Sequence, residues 1–175
     1  QLYEQERDMI ADLLPDNSER RTKQKKRDIT VIFSNPPYST GQTSANDNAA
    51  NIAYQNLNER IEATYATESS ATNVNSLYDS YIRAYRWASD WIGDNGVIAF
   101  VTNGGWVEGN ATDGFRKIIS KEFNKIYTIH LRGNQRTSGE LSRKEGGKIF
   151  GSGSRSPIAI TFLVKKKCAC GNAHT

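Results

Sequence analysis

Residues 29–38 read Ile29-Thr30-Val31-Ile32-Phe33-Ser34-Asn35-Pro36-Pro37-Tyr38. The first five form a near-continuous β-branched and aromatic run, the pattern of a strand covered on both faces of a parallel sheet. The run stops abruptly. Pro36 and Pro37 carry no N–H, and Asn-Pro favours a turn. A turn is the bland reading of Asn35 to Tyr38. However, open parallel sheets gather their binding groups at the carboxyl ends of strands, and this stretch sits at such an end.

Outward from there the chain alternates strands and helices. Upstream, Tyr3 to Leu14 predicts a short helix broken by Pro15-Asp16-Asn17, and Arg20 to Asp28 a charged, solvated helix. Downstream, Ser39 to Asn51 is polar loop, and Ile52, Leu57 and Ile61 suggest a helix. Leu77, Tyr81, Ala84, Tyr85, Ala88 and Trp91 recur at three-to-four spacing, an amphipathic helix. Gly93 to Gly96 should end it, before a second strand over Val97 to Val101. A helix over Ala111 to Glu122 and a third strand over Ile126 to Leu131 follow. A loop from Arg132 to Ser156, too long for an ordinary connection, leads to a last strand, Ile158 to Val164. The order implies an α/β fold with a mostly parallel sheet, helices on both faces and a final antiparallel strand. Residues 1–28 read as a helical lead-in, 29–167 as the α/β domain and 168–175 as a tail.

Composition narrows the class. With three Trp, eight Tyr and six Phe among 175 residues, the chain is too aromatic for a disordered one. No apolar run approaches the ~18 residues of a membrane span, which points to a cytoplasmic protein. Two cysteines exclude a disulfide scaffold. Cys168, Cys170 and His174 fit no standard zinc template and are one ligand short, so no metal is expected. The net charge of +4 is uneven: residues 131–175 hold nine Lys or Arg against two Glu. A basic third invites a polyanion, although it also serves as a solvated surface.

Other motifs fail. No Gly-x-Gly-x-x-Gly follows a strand, and Gly146-Gly147-Lys148 is followed by Ile149 where a phosphate loop needs Ser or Thr. Gly151-Ser152-Gly153 lies in a loop, not at a strand-to-helix elbow. His130 falls in a strand pattern and reads as structural.

Asn35 to Tyr38 carries a positive chemical argument. Rigid prolines aim bare carbonyl oxygens outward. The Asn35 side-chain carbonyl beside the Pro36 backbone carbonyl makes two acceptors for one exocyclic NH₂, and Tyr38 offers a ring to stack on. That set suits a planar amine extruded from DNA.

These residues resemble the catalytic motif of the amino-methyltransferases that use S-adenosylmethionine (SAM), in its adenine-N6 form. Gly96 to Trp106 is similar to the family's next strand and turn, and Pro157 to Lys165 to its last strand. Ser76 to Ala84 and Leu131 to Glu140 resemble one branch, the Type ISP restriction–modification enzymes, over about residues 3–165. The resemblance implies a partial Rossmann-like methyltransferase fold that transfers methyl from SAM to a flipped adenine in double-stranded DNA. It implies catalytic roles for Asn35, Pro36 and Tyr38, and base stacking by Tyr38 and Phe150. The basic loop gives candidate phosphate contacts at Arg132, Arg136, Arg143, Lys144, Lys148 and Arg155. It also implies nuclease, translocase and target-recognition regions in a longer chain.

One departure matters. The family's Gly-rich SAM loop should precede the catalytic strand, and none lies among the 34 residues before Asn35. The expectation is a catalytic half that is inactive alone, with no assignable SAM-binding residues. Two rivals are a protein-glutamine methyltransferase, since that side-chain amide is also planar, and a nucleic-acid-binding module without catalysis.

Overall fold

The computed structural model describes residues 15–37, 54–132, 140 and 156–167. A helix α1 (Pro15–Lys25) leads into strand β1 (Ile29–Ser34). Then come α2 (Gln55–Ile61), a π-helical turn (Glu62–Ala66), a 3₁₀ turn (Asn75–Tyr78) and α3 (Ser80–Trp91). Strand β2 (Ile92–Asn103) is followed by 3₁₀ turns at Gly104–Trp106 and Asn110–Thr112. Helix α4 (Asp113–Glu122), β3 (Lys125–Arg132) and β4 (Ile158–Lys165) complete the fold.

The four strands form one sheet in the order β1-β2-β4-β3. β1 pairs parallel with β2, and β4 lies antiparallel between β2 and β3. Three strands therefore share a direction and the last opposes them, the mixed α/β architecture of a partial Rossmann-like fold. The carboxyl ends of β1, β2 and β3 lie on one edge, and β4 begins there.

The helix expected over Tyr3 to Leu14 lies outside the described residues, and α1 is described from Pro15 onward. One expectation shifts. Gly93 to Gly96 lies inside β2, which follows α3 with no turn between. The register explains it: Ile29 faces Ile92 and Val31 faces Val97, so β2 bulges against β1. A Cβ on Gly96 would lie 2.7 Å from the Thr30 carbonyl oxygen, so the bulge needs glycine there.

The helices α2, α3 and α4 bury one sheet face. Across it run the rows Ile32–Ile98–Leu163–Ile126 and Ser34–Phe100–Thr161–Thr128. Ile98, Thr161 and Leu163 are fully buried. Above them Tyr85 sits among Phe100, Trp106 and Phe115, with ring centroids 4.9, 6.4 and 5.2 Å away. Such tilted and edge-on contacts add to the area that aromatic rings bury. Burial pushes the Tyr85 hydroxyl up to about 12, against the pull of Thr161 and Thr102.

The second face is largely apolar. Its rows are Val31–Val97–Val164–Lys125 and Phe33–Ala99–Phe162–Tyr127. Among the described residues no helix covers it, and Phe33 is 80% exposed. The reason is winding. The crossovers β1 to β2 and β2 to β3 travel the same way across the sheet, and crossovers of one hand then fall on one face.

Ions join the helices. Arg86, 2% exposed, bonds Glu122 of α4 at 2.9 Å and Asp90 at 2.8 Å, and Arg60 of α2 also reaches Asp90. Burial alone would raise the Asp90 carboxyl, but Arg60 and Arg86 hold it below its ordinary value. Asp113 starts α4 and accepts from the Ser69 and Ser70 hydroxyls and the Ser70 N–H. Those bonds hold its carboxyl well below the usual range.

Two outcomes follow from this packing. A Cβ on Gly114 would lie 1.9 Å from the Tyr65 carbonyl oxygen and 2.8 Å from the Ser69 nitrogen. Gly114→Ala should cost about 3 kcal/mol in urea unfolding. Asp90 and Asp113 both titrate low, so their stabilisation is complete above the ordinary carboxylate pKa of 3.8 and is lost as pH falls below it. In Asp113→Asn, acid titration of stability should show lower stability at neutral pH and a shallower fall below about pH 4.

Candidate functional site

β1 ends at Ser34, paired with Phe100, and the chain then turns through Asn35-Pro36-Pro37. Asn35 is exposed and Pro36 is buried. The turn is thus anchored by a ring that lacks an N–H, while the amide beside it stays open to a ligand. The sequence places Asn35 and Pro36 at a strand's carboxyl end, and the structure does the same.

Beside them on this edge, β2 ends in Asn103-Gly104-Gly105-Trp106. The Asn103 side chain accepts from the Gly105 N–H at 2.8 Å. The Gly104 N–H donates to the Pro157 carbonyl at 2.7 Å, tying the end of β2 to the start of β4. Trp106, 3% exposed, plugs the turn into the aromatic core, 5.3 Å from Phe115 between ring centroids. Arg116 of α4 braces it from behind, donating to the Trp106 and Gly109 carbonyls at 2.6 and 2.8 Å. This edge is therefore a rigid platform.

His130 belongs to the platform as well. A Cβ on Gly104 would lie 3.0 Å from its Nε2, so the imidazole rests against the Gly104 backbone. A strand pattern alone marks His130 as structural but does not place it in the fold. Strand parity gives its face, since it pairs with Ala159 in the helix-covered row, but its contact with the β2 turn depends on the strand order.

The remaining predicted site residues divide simply. Arg132 is the last residue of β3 and Ser156 precedes β4, so the long basic loop leaves and re-enters on the edge that carries Asn35. Tyr38, Phe150, Arg136, Arg143, Lys144, Lys148 and Arg155 lie outside the described residues, as do Cys168, Cys170 and His174. Among the described residues no group of three His, Cys, Asp or Glu could hold a metal ion. None of the described helices is long and apolar enough to cross a membrane.

Asn35 and Pro36 present carbonyl oxygens suited to an amine. The Gly104-Gly105 turn between β2 and α4 has both of its N–H groups engaged, by the Pro157 carbonyl and the Asn103 side chain, so neither is open to a cofactor such as SAM.

The mixed α/β sheet, with helices packed on it and strand ends gathered together, is that of a partial Rossmann-like domain. Comparison with solved structures narrows it. The chain is similar to a nuclease-deletion mutant of the Type ISP restriction–modification enzyme LlaGI in complex with a DNA substrate mimic, at 51% identity and a TM-score of 0.80. The match covers 89% of this chain and 15% of that one. It is similar to the ATP-dependent Type ISP enzyme LlaBIII bound to DNA, at 42% identity and a TM-score of 0.82, over 94% of this chain and 11% of that one. DrdV in its DNA complex matches at 41% and a TM-score of 0.77, over 86% and 15%. The chain thus spans about one seventh or less of these proteins. No family model and no curated protein matches it.

The exposure of Asn35 separates its role from stability. Asn35→Ala should change unfolding stability by less than about 0.5 kcal/mol, whereas Trp106→Ala should cost about 3–5 kcal/mol. Urea denaturation of both variants checks the contrast.

Proposed function

We propose that this chain is the acceptor-binding half of a SAM-dependent DNA adenine-N6 methyltransferase, within a longer Type ISP-like restriction–modification polypeptide. The single observation that carries the reading is the exposed Asn35 beside the buried Pro36 at the carboxyl end of β1. Two of the similar solved structures are bound to DNA and the third to a DNA substrate mimic, which supports a DNA substrate.

The chemistry follows from those two residues. Adenine N6 is a weak nucleophile because its lone pair is delocalised into the ring. Hydrogen bonds from N6 to the Asn35 side-chain carbonyl and the Pro36 carbonyl draw the nitrogen toward tetrahedral geometry and localise that pair. Positive charge grows on nitrogen during attack, and preorganised oxygens stabilise it. No strong base is needed before attack, which suits a motif without His, Asp or Glu.

Tyr38 and Phe150 would stack on the flipped base, each worth about 1–3 kcal/mol by comparison with single-strand binders. The loop from Arg132 to Arg155 would contact backbone phosphates near it. Both of its ends lie on the edge of Asn35, which supports that role. SAM, held largely by parts of the polypeptide beyond this chain, supplies an electrophilic methyl group. Cytoplasmic DNA is the expected setting.

The test uses the complete polypeptide, labelled SAM and duplex DNA of varied sequence, followed by nucleoside chromatography. Label should appear at N6-methyladenosine. Asn35→Ala should lower transfer by about 100-fold or more, with DNA affinity retained. Label on glutamine of an added protein would overturn the DNA reading. DNA binding without transfer would reduce the chain to a binding module. Arg136→Ala with Arg143→Ala should flatten the salt dependence of DNA affinity by about two phosphate contacts. An unchanged slope would remove the loop from the interface.

A further inference from the structure

Asn103, the last residue of β2, stands on the same sheet edge as Asn35. Strand register relates the two. Phe33 pairs with Ala99 and Ser34 with Phe100, so one further step in that parallel register sets Asn35 beside Val101. Side chains along a strand alternate between faces. Asn35 therefore shares the face of Phe33, and Asn103 shares the face of Ala99, which is the same one. The burial of Pro36 between exposed Asn35 and Pro37 agrees with that alternation. With strands about 4.8 Å apart and about 3.3 Å per residue along each, the two Cα atoms lie about 8 Å from each other.

The Asn103 amide has a fixed orientation. Its Oδ1 accepts from the Gly105 N–H at 2.8 Å. Only the oxygen of a carboxamide accepts, so Nδ2 is the end that faces away from the turn. Among the described residues Nδ2 donates to no group. The turn that carries the amide is itself held, by the Gly104 N–H on the Pro157 carbonyl and by Arg116 on the Trp106 carbonyl. A half-buried donor thus stands ready beside two acceptors, with little ordering left for a ligand to impose.

We infer that Asn103 reads the target base, its Nδ2 donating to a ring nitrogen next to the amine that Asn35 and Pro36 accept. In adenine that nitrogen is N1 on one side of N6 or N7 on the other, and both are acceptors. The inference rests on the adenine reading above and adds a specificity-determining residue to it. Two carbonyl oxygens alone hold any exocyclic amine. A donor placed next to them selects a base whose amine adjoins an unprotonated ring nitrogen, because any other base leaves the Nδ2 donor unpaired in a closed pocket.

The test uses the complete polypeptide, with the methylated adenine located by mapping the label. Asn103→Asp and Asn103→Ser both keep an oxygen for the Gly105 N–H and lose the amide donor. Their unfolding midpoints should stay near that of the unsubstituted protein, while kcat/KM for transfer falls about 10- to 100-fold. Duplexes carrying 1-deazaadenine or 7-deazaadenine at the target then identify the contact. The unsubstituted protein should lose a similar factor on one of the two, and Asn103→Ser should lose nothing further on that one. Full transfer by the Asn103 variants, or an equal additional loss by Asn103→Ser on both analogues, overturns the inference while N6 label and the Asn35→Ala defect leave the adenine reading in place. Label elsewhere than N6, with Asn35→Ala inert, overturns the reading and the inference together.

Discussion

The hand of the strand–helix–strand crossover governs most of this structure. The chain leaves β1, returns in β2, and leaves again to return in β3, each time advancing the same way across the sheet. One hand with one direction puts α2, α3 and α4 on one face. It also aligns the carboxyl ends of β1, β2 and β3 on one edge, with β4 starting from that edge. Site, core and open face are consequences of that winding, since each depends on which face the helices take and which strand ends they leave free.

The helix layer is held to the sheet by two unlike means. Tyr85, Phe100, Trp106 and Phe115 interlock in tilted and edge-on contacts, joining α3, β2, the turn after β2 and α4. Arg86 joins α3 to α4 through Glu122, and Arg60 joins α2 to α3 through Asp90. The apolar cluster supplies most of the stabilisation, because burying Arg86 carries a desolvation cost that offsets its attractions. The ions instead restrict how the helices sit, since a buried guanidinium tolerates few arrangements. Trp106 and Arg116 extend this rigidity to the turn beside Asn35.

How far the sequence made this legible differs by element. The run Ile29 to Phe33, the stripe from Leu77 to Trp91 and the final strand Ile158 to Lys165 were all readable from periodicity. Gly93 to Gly96 misled, because residues that commonly end an element also form a bulge within one. The antiparallel sense of β4 was legible from the lack of a helix before it. Its position between β2 and β3 was not, because order within a sheet depends on long-range pairing. A continuous apolar strand shows that both faces need cover, and among the described residues helices supply it on one face. The strand-end position of Asn35 and Pro36 was legible because proline chemistry is local, whereas His130 meets Gly104 only through strand order.

Asn35 and Pro36 need only a strand end and a rigid turn, both supplied within a few residues of sequence. The described sheet ends at β1, and the uncovered apolar face runs up to it. Asn35 therefore stands at the end of an outer strand, with the braced turn after β2 on its paired side.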